Sequence, residues 1–242
     1  MYNLIKTIFK HNWPAIIYIN FKMLPFRQAI KLPIDVYHRV RLEHLEGTIS
    51  IDSDDISIGM IKFGAQGSEM FASLPCIIDI QKGSSVRFEG QAVLGSGSLL
   101  RVEQGGQFIM GHKCRIGARC KIFCTKKITL GSEIDISWES QVFDTNFHYM
   151  QDTATGKVIE PNGEISVGNN CWIGNRVNIM RGSVIPDNTI VASNSLVNKN
   201  WSKIEPYSML AGAPAKVVKN NIRRLFEDSD KDILRQIKEN KI

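Results

Sequence analysis

The sequence lacks the features that would tie it to a membrane span, a disulfide scaffold or a nucleic acid. None of its 242 residues falls in a segment approaching the length of a transmembrane helix. The apolar run Ala15 to Ile19 follows Lys6 and Lys10 but is too short for the hydrophobic region of a secretory signal. Pro14 precedes it and no A-x-A cleavage site follows, so the compartment expected is the cytoplasm. Cysteines number five, an odd count without a C-x-x-C pair, which argues against a secreted framework and a zinc site. No basic run with interleaved aromatics stands out, so no nucleic-acid partner is expected. The net charge of +6, from 30 Lys and Arg against 24 Asp and Glu, is a mild excess that suits anionic ligands or a membrane surface. The remaining composition, 43% hydrophobic and 22% charged, is that of a globular chain with ample material for a core.

What is present is a repeat. From Val167 the chain reads Val167-GNNCW, Ile173-GNRVN, Ile179-MRGSV, Ile185-PDNTI, Val191-ASNSL and Val197, an aliphatic residue returning at every sixth position. A helix of 3.6 residues per turn rotates a sixth residue off its apolar face, and a simple strand would make alternate residues apolar. A period of six is that of a β-solenoid, whose coils bury one aliphatic ladder by stacking on their neighbours. A small or modest residue recurs four places after each aliphatic one: Cys171, Val177, Ser183, Thr189 and Ser195. Cys114 and Cys120 occupy the same slot, which makes them packing residues.

Taken in order, residues 1–46 do not follow the repeat and read as an N-terminal cap. Leu4, Ile5, Ile8 and Phe9 have helical spacing up to Pro14, and Pro25 and Pro33 break the following stretch into short extended pieces. Two readings of the first helix stand: a cover for the end of the solenoid, or a basic helix on a membrane surface through residues 1–13. The solenoid is expected from 47 to 215. It is irregular at first, with a loop at Gly64–Ser73, and regular from Met110. A polar, turn-rich loop at 148–166 is the one large interruption, and a loop of that length inside a repeat array is usually functional. A helical tail over 216–242 is expected to start from a capping box of Ser229 and Asp232 and to carry Ile233, Leu234 and Ile237.

Three strings, Cys171-WIGN, Val191-ASNSLVNK and Ala211-GAPAKVVK, resemble the hexapeptide-repeat acyltransferases over about residues 105 to 220. That family includes galactoside, maltose and serine acetyltransferases and polysaccharide O-acetyltransferases. The run Phe143-DTNFH looks most like the polysaccharide-type members. The resemblance implies a mainly β chain folded as a left-handed parallel β-helix. It also implies a homotrimer with sites between subunits, and acetyl-CoA as acyl donor without a metal.

His148, where the ladder breaks, is the candidate general base. A histidine with a pKa near neutrality can take the proton of an acceptor hydroxyl as that oxygen attacks a thioester. Asp144 is a candidate to fix its tautomer, with a backbone carbonyl as the alternative. Asn146 is a candidate acceptor ligand. By resemblance, Trp172 covers the pantetheine arm, Asn175, Ser193, Asn198 and Lys199 contact CoA, and Lys216 and Lys219 meet its nucleotide phosphates. His11, His38, His44 and His112 have no comparable setting. Phe147-His148-Tyr149 stands where the galactoside and maltose enzymes have His followed by Pro. Residues 1–46 do not match the acceptor-binding residues of those enzymes either, so the acceptor is not inherited from them.

The expectation is O-acetyl transfer to a sugar hydroxyl in surface polysaccharide synthesis. N-acetylation of a nucleotide-linked amino sugar is the alternative. A γ-type carbonic anhydrase would need three histidine ligands, and the regular coils hold only His112 and His148. A catalytically silent solenoid is the remaining reading.

Overall fold

The computed structural model describes residues 10–65, 74–226 and 230–239. Residues 4–9 of the expected first helix, most of the Gly64–Ser73 loop and Ser229 lie outside them.

The chain winds as a left-handed parallel β-helix with three walls. Among the described residues wall one contains nine strands, beginning at Ile34–Val36, passing through Cys114–Ile116, Asp135–Ile136, Trp172–Ile173 and Ile190–Val191, and ending at Met209–Ala211 and Lys216–Lys219. Wall two has seven strands, from Val40–Leu45 through Gln141–Phe143 and Asn178–Met180 to Leu196–Val197. Wall three has six, from Thr48–Ile51 through Ile165–Val167 to Val184–Ile185. Neighbours within each wall are parallel, apart from the last strand of wall one, which runs antiparallel to Met209–Ala211.

The six-residue period has a local cause. Each aliphatic residue of the ladder is buried, and the residue three places later turns the corner in the left-handed region: Asn170, Arg176, Gly182, Asn188 and Asn194 have φ of 56°, 56°, 76°, 58° and 59°. Asparagine and glycine enter that region at least cost. The small residue that follows is buried, and where it carries a hydroxyl it closes the corner. Ser183 Oγ donates to the carbonyls of Met180 (2.6 Å) and Val197 (3.0 Å). Thr189 and Ser195 donate to Pro186 (2.8 Å) and Ala192 (2.6 Å). Gly168 and Gly174 follow ladder residues because the next coil is too close for a Cβ: one at Gly168 would lie 2.5 Å from the Asp187 nitrogen, and one at Gly174 2.6 Å from that of Ser193. All five cysteines are buried and unpaired, four of them pushed up to about 11 or 12 by burial and Cys124 higher still.

The ends differ from expectation. The ladder starts at Ile34, not Gly47, since Ile34–Val36 and Val40–Leu45 already pair in walls one and two. Pro33 sits just before the first strand, where it takes no amide from the ladder. The stretch before it is helical: α1 (Trp13–Met23) and α2 (Phe26–Ala29). Pro14 sits in the first turn of α1, where no N–H is lost, and Asn12 caps that turn by accepting from Ala15 N. The tail is first a strand, Lys216–Lys219, then bends at Asn221 (φ 57°) and runs without regular structure to residue 226. Only then comes α3 (Lys231–Lys238), which bears Ile233, Leu234 and Ile237. Asp230 precedes α3 and makes no side-chain cap, its carboxylate being held by Arg223 and the Phe226 amide.

Candidate active site

The interruption lies at the corner between walls two and three. It opens at Asp144, directly after the strand Gln141–Phe143, and closes before Ile165, so residues 165 and 166 already belong to the ladder. Its base is zipped: Gly163 N donates to Asp144 O (2.8 Å), Asn146 N donates to Pro161 O (2.9 Å), and Thr145 bridges Asn162. Beyond it stands an exposed two-stranded hairpin, Met150–Gln151 against Val158–Ile159.

His148 lies between zip and hairpin. It is exposed and hydrogen-bonds to none of the described residues. Its direction is set by Phe147, which has φ of 64°. That region costs a bulky residue about 1–2 kcal/mol, and the ring is held there by edge-on packing against Phe123 (5.0 Å) and Phe143 (5.9 Å) on the outside of wall two. Phe147 thus anchors the loop to the wall and leaves the next side chain standing out.

Asp144 does not orient His148. Its side chain is fully buried, one oxygen accepting from Thr125 N (2.7 Å) and Thr125 Oγ1 (2.8 Å) and the other from Lys126 N (2.8 Å). These amides belong to the corner one coil back, where the six-residue ladder slips by two. The carboxylate mends that slip, a role that spacing along the sequence could not reveal.

The expected donor-binding residues separate into two sets. Asn175 and Ser193 share the corner between walls one and two, joined by a bond from Ser193 Oγ to Asn175 Oδ1 (2.6 Å). Lys216 and Lys219 are exposed on the terminal strand of wall one. Asn198 and Lys199 are exposed on the other side of wall two, at the corner column that carries the His148 loop. Wall two lies between the sets.

Trp172 is on the outer face of wall one, where its Nε1 donates to Ser137 Oγ (3.2 Å) and the Arg224 guanidinium lies over its ring (5.2 Å). The tail therefore covers an indole face that the resemblance assigned to pantetheine. Arg224 also reaches Asp135, as does Arg115 (2.7 Å). Burial would raise the Asp135 carboxyl, but these two guanidinium groups outweigh it and hold it below the usual value. A cleft of about 600 Å³ opens beside them, with Lys113, Phe226, Leu234 and Lys238 in its lining, and His148 is not part of it.

Three features escaped the sequence reading. Arg181, at the corner directly below the loop base, has a buried Nε with no hydrogen-bond partner. His11 and His44, set aside above, each meet a carboxylate: Asp35 at 2.8 Å and Asp79 at 3.2 Å. Asp79 lies one coil beyond His44, and Asp35 meets His11 through the antiparallel bridge of His11 to Tyr37, so the fold and not the local sequence brings each pair together. Among the described residues no group of three His, Cys, Asp or Glu side chains is placed to hold a metal.

No family model matches the chain. An uncharacterized 24.8 kDa protein of the cps region of Klebsiella pneumoniae is 25% identical over 208 residues, covering 86% of this chain and 88% of that one. The putative lipopolysaccharide biosynthesis O-acetyl transferase WbbJ of Escherichia coli K12 is 24% identical, covering 63% of this chain and 81% of that one. The galactoside O-acetyltransferase of the same organism is 37% identical, over 30% of this chain and 34% of its own length. Among solved structures, the polySia-specific acetyltransferase NeuO superposes with a TM-score of 0.55 at 18% identity, covering 87% of this chain and 88% of that one. The chain is thus similar in sequence to named acetyltransferases and shares the fold of another. Shared identity with the galactoside O-acetyltransferase spans only about a third of that enzyme, and the solved structures attest the fold.

Proposed function

We propose that this protein is a hexapeptide-repeat acyltransferase that transfers an acetyl group from acetyl-CoA to a sugar hydroxyl of a surface polysaccharide or its precursor, in the cytoplasm. The observation that carries the reading is His148, exposed and unbonded at the neck of the inserted loop and aimed by the left-handed Phe147. Transfer is direct. A ring nitrogen of His148 takes the acceptor O–H proton as that oxygen attacks the thioester carbonyl, backbone N–H groups of a coil corner stabilise the oxyanion, and the CoA sulfur leaves and recovers the proton. The relatives named for lipopolysaccharide and galactoside O-acetylation favour a sugar acceptor.

The assembly is a homotrimer in which a second copy sets its wall-one corner, with Asn175, Ser193 and the Lys216–Lys219 strand, against the His148 edge of the first. The separation of the two sets across wall two supports this, as does the lack of a partner for His148 among the described residues of its own subunit. Asn146 faces the acceptor from the loop base. Trp172 contributes through its uncovered side.

The test is CoA release with a panel of sugars and oligosaccharides. His148→Ala is expected to lower acceptor-dependent turnover by about 10²–10⁴-fold. Full activity in that variant overturns the mechanism. A product stable to mild alkali is an amide and replaces the hydroxyl acceptor by an amine. A monomeric mass in solution removes the shared site.

A further inference from the structure

The outer surface of α1 is as apolar as its inner one. Inward, Ile16 and Ile19 are buried, and Asn20 locks the helix to the first strand: its amide donates to Ile16 O (2.8 Å) and Ile34 O (2.7 Å), while its oxygen accepts from Ile34 N (3.0 Å). The helix cannot roll without breaking both bonds to Ile34, so the outward stripe is fixed. That stripe is Trp13, Ile17 and Phe21, four residues apart on one face, with exposures of 43%, 53% and 48%. It continues into α2 through Phe26, whose ring centroid lies 6.2 Å from that of Phe21 and which is 71% exposed. Ile30 extends it, and Tyr18 flanks it with Lys22 on its hydroxyl (3.0 Å). A helix apolar all round is normally buried, and a contiguous exposed patch of this kind marks an interaction surface.

Charge identifies the partner. The first 34 residues contain Lys6, Lys10, Lys22, Arg27 and Lys31 and not one Asp or Glu. The first acid, Asp35, is buried against His11. Two such faces brought together would place like charges opposite one another, which disfavours a second copy of this chain. Aromatic rings with lysine and arginine around them instead match the interfacial zone of a bilayer carrying anionic headgroups.

We propose that the exposed face of α1 and α2 docks this protein on an anionic phospholipid surface. The helix lies in the interface plane, its aromatic stripe among the acyl-chain ends and its cations at headgroup level; at roughly 17 Å it is too short to span. The stripe, not only the extreme N-terminus, makes the contact. The inference is independent of the reaction catalysed.

The test is co-sedimentation of the full chain with vesicles of phosphatidylcholine alone and of equal parts phosphatidylcholine and phosphatidylglycerol. The wild type is expected to pellet with the anionic vesicles and to be released by high salt. Ile17→Ser with Phe21→Ser should weaken partitioning by roughly tenfold or more through lost apolar burial. Lys22→Gln with Arg27→Gln should weaken it by about fivefold per charge. All four sites are on the surface, and an unchanged melting temperature would separate lost docking from lost folding. Wild-type protein left in the supernatant overturns the proposal, as do equal binding to neutral vesicles and unaltered binding by the Ile17/Phe21 variant. A fall in solution mass in that variant also overturns it, because the face would then lie between copies.

Discussion

Two adjacent coils treat the same corner in opposite ways. In one, the chain passes from Met180 to Val184 through a left-handed Gly182 and a Ser183 whose hydroxyl bonds its own coil and the next. In the coil before it, the corner opens at Asp144 and does not close until Glu164. The closed corner is held by the Ser183 hydroxyl and the left-handed Gly182. The open one needs three anchors: Asp144 on the previous coil, Gly163 on Asp144 across the loop's own base, and Phe147 on the outer wall. The difference teaches how a rigid stack acquires a reactive side chain: one corner is left unclosed, and its stability is borrowed from the coils on either side.

The greatest effect is expected from making the open corner resemble the closed one. Replacing residues 145–163 by a Gly-Ser pair should abolish turnover to below about 1% while raising stability by about 2 kcal/mol through the shorter closure. A shortened chain that still turns over would remove the loop from catalysis. Next is Asp144→Ala, which orphans two amides and a hydroxyl and should cost about 3 kcal/mol in urea unfolding; a loss below about 1 kcal/mol would mean the carboxylate does not hold the slip. Phe147→Gly relaxes the backbone but removes the ring. It should leave stability within about 1 kcal/mol and lower kcat by about tenfold, whereas an unchanged kcat would show that the ring does not position His148. Ser183→Ala, in the closed corner, should cost only about 1 kcal/mol and leave kcat alone.

The buried thiols provide the smallest effect at neutral pH. Cys76, Cys120 and Cys171 are raised to about 12 from 9.0 by burial. The folded state is therefore favoured below pH 9 and loses that advantage as pH climbs towards 12. Melting temperature should fall across that window, and a flat profile would mean the thiols ionise in place.

The closed corners were legible because most hexads contain their own reasons: an aliphatic residue, an asparagine or glycine suited to positive φ, and a small residue to close the turn, with Arg176 the exception. The open corner announced itself only as a gap in the ladder. That was enough to single out His148 but not to assign Asp144, whose partners are the amides of Thr125 and Lys126. The N-terminal coils begin at Ile34 and bury Phe63, Phe88 and Phe108 inside; with loops of uneven length between strands, no fixed period marked them. Proline misled at α1, where Pro14 sits in the first turn. The covering of Trp172 by Arg224 joins residues that sequence order keeps far apart, and no local pattern encodes it.

The last strand of wall one runs backwards. Every other strand in the three walls offers its successor a parallel edge, and an open stack of that kind is a template for filament growth. Lys216–Lys219 turns the final edge to the opposite polarity and lines it with charge, while α1 and α2 cover the other end. Along wall one, a further coil would therefore meet a strand of the wrong polarity, flanked by two lysines.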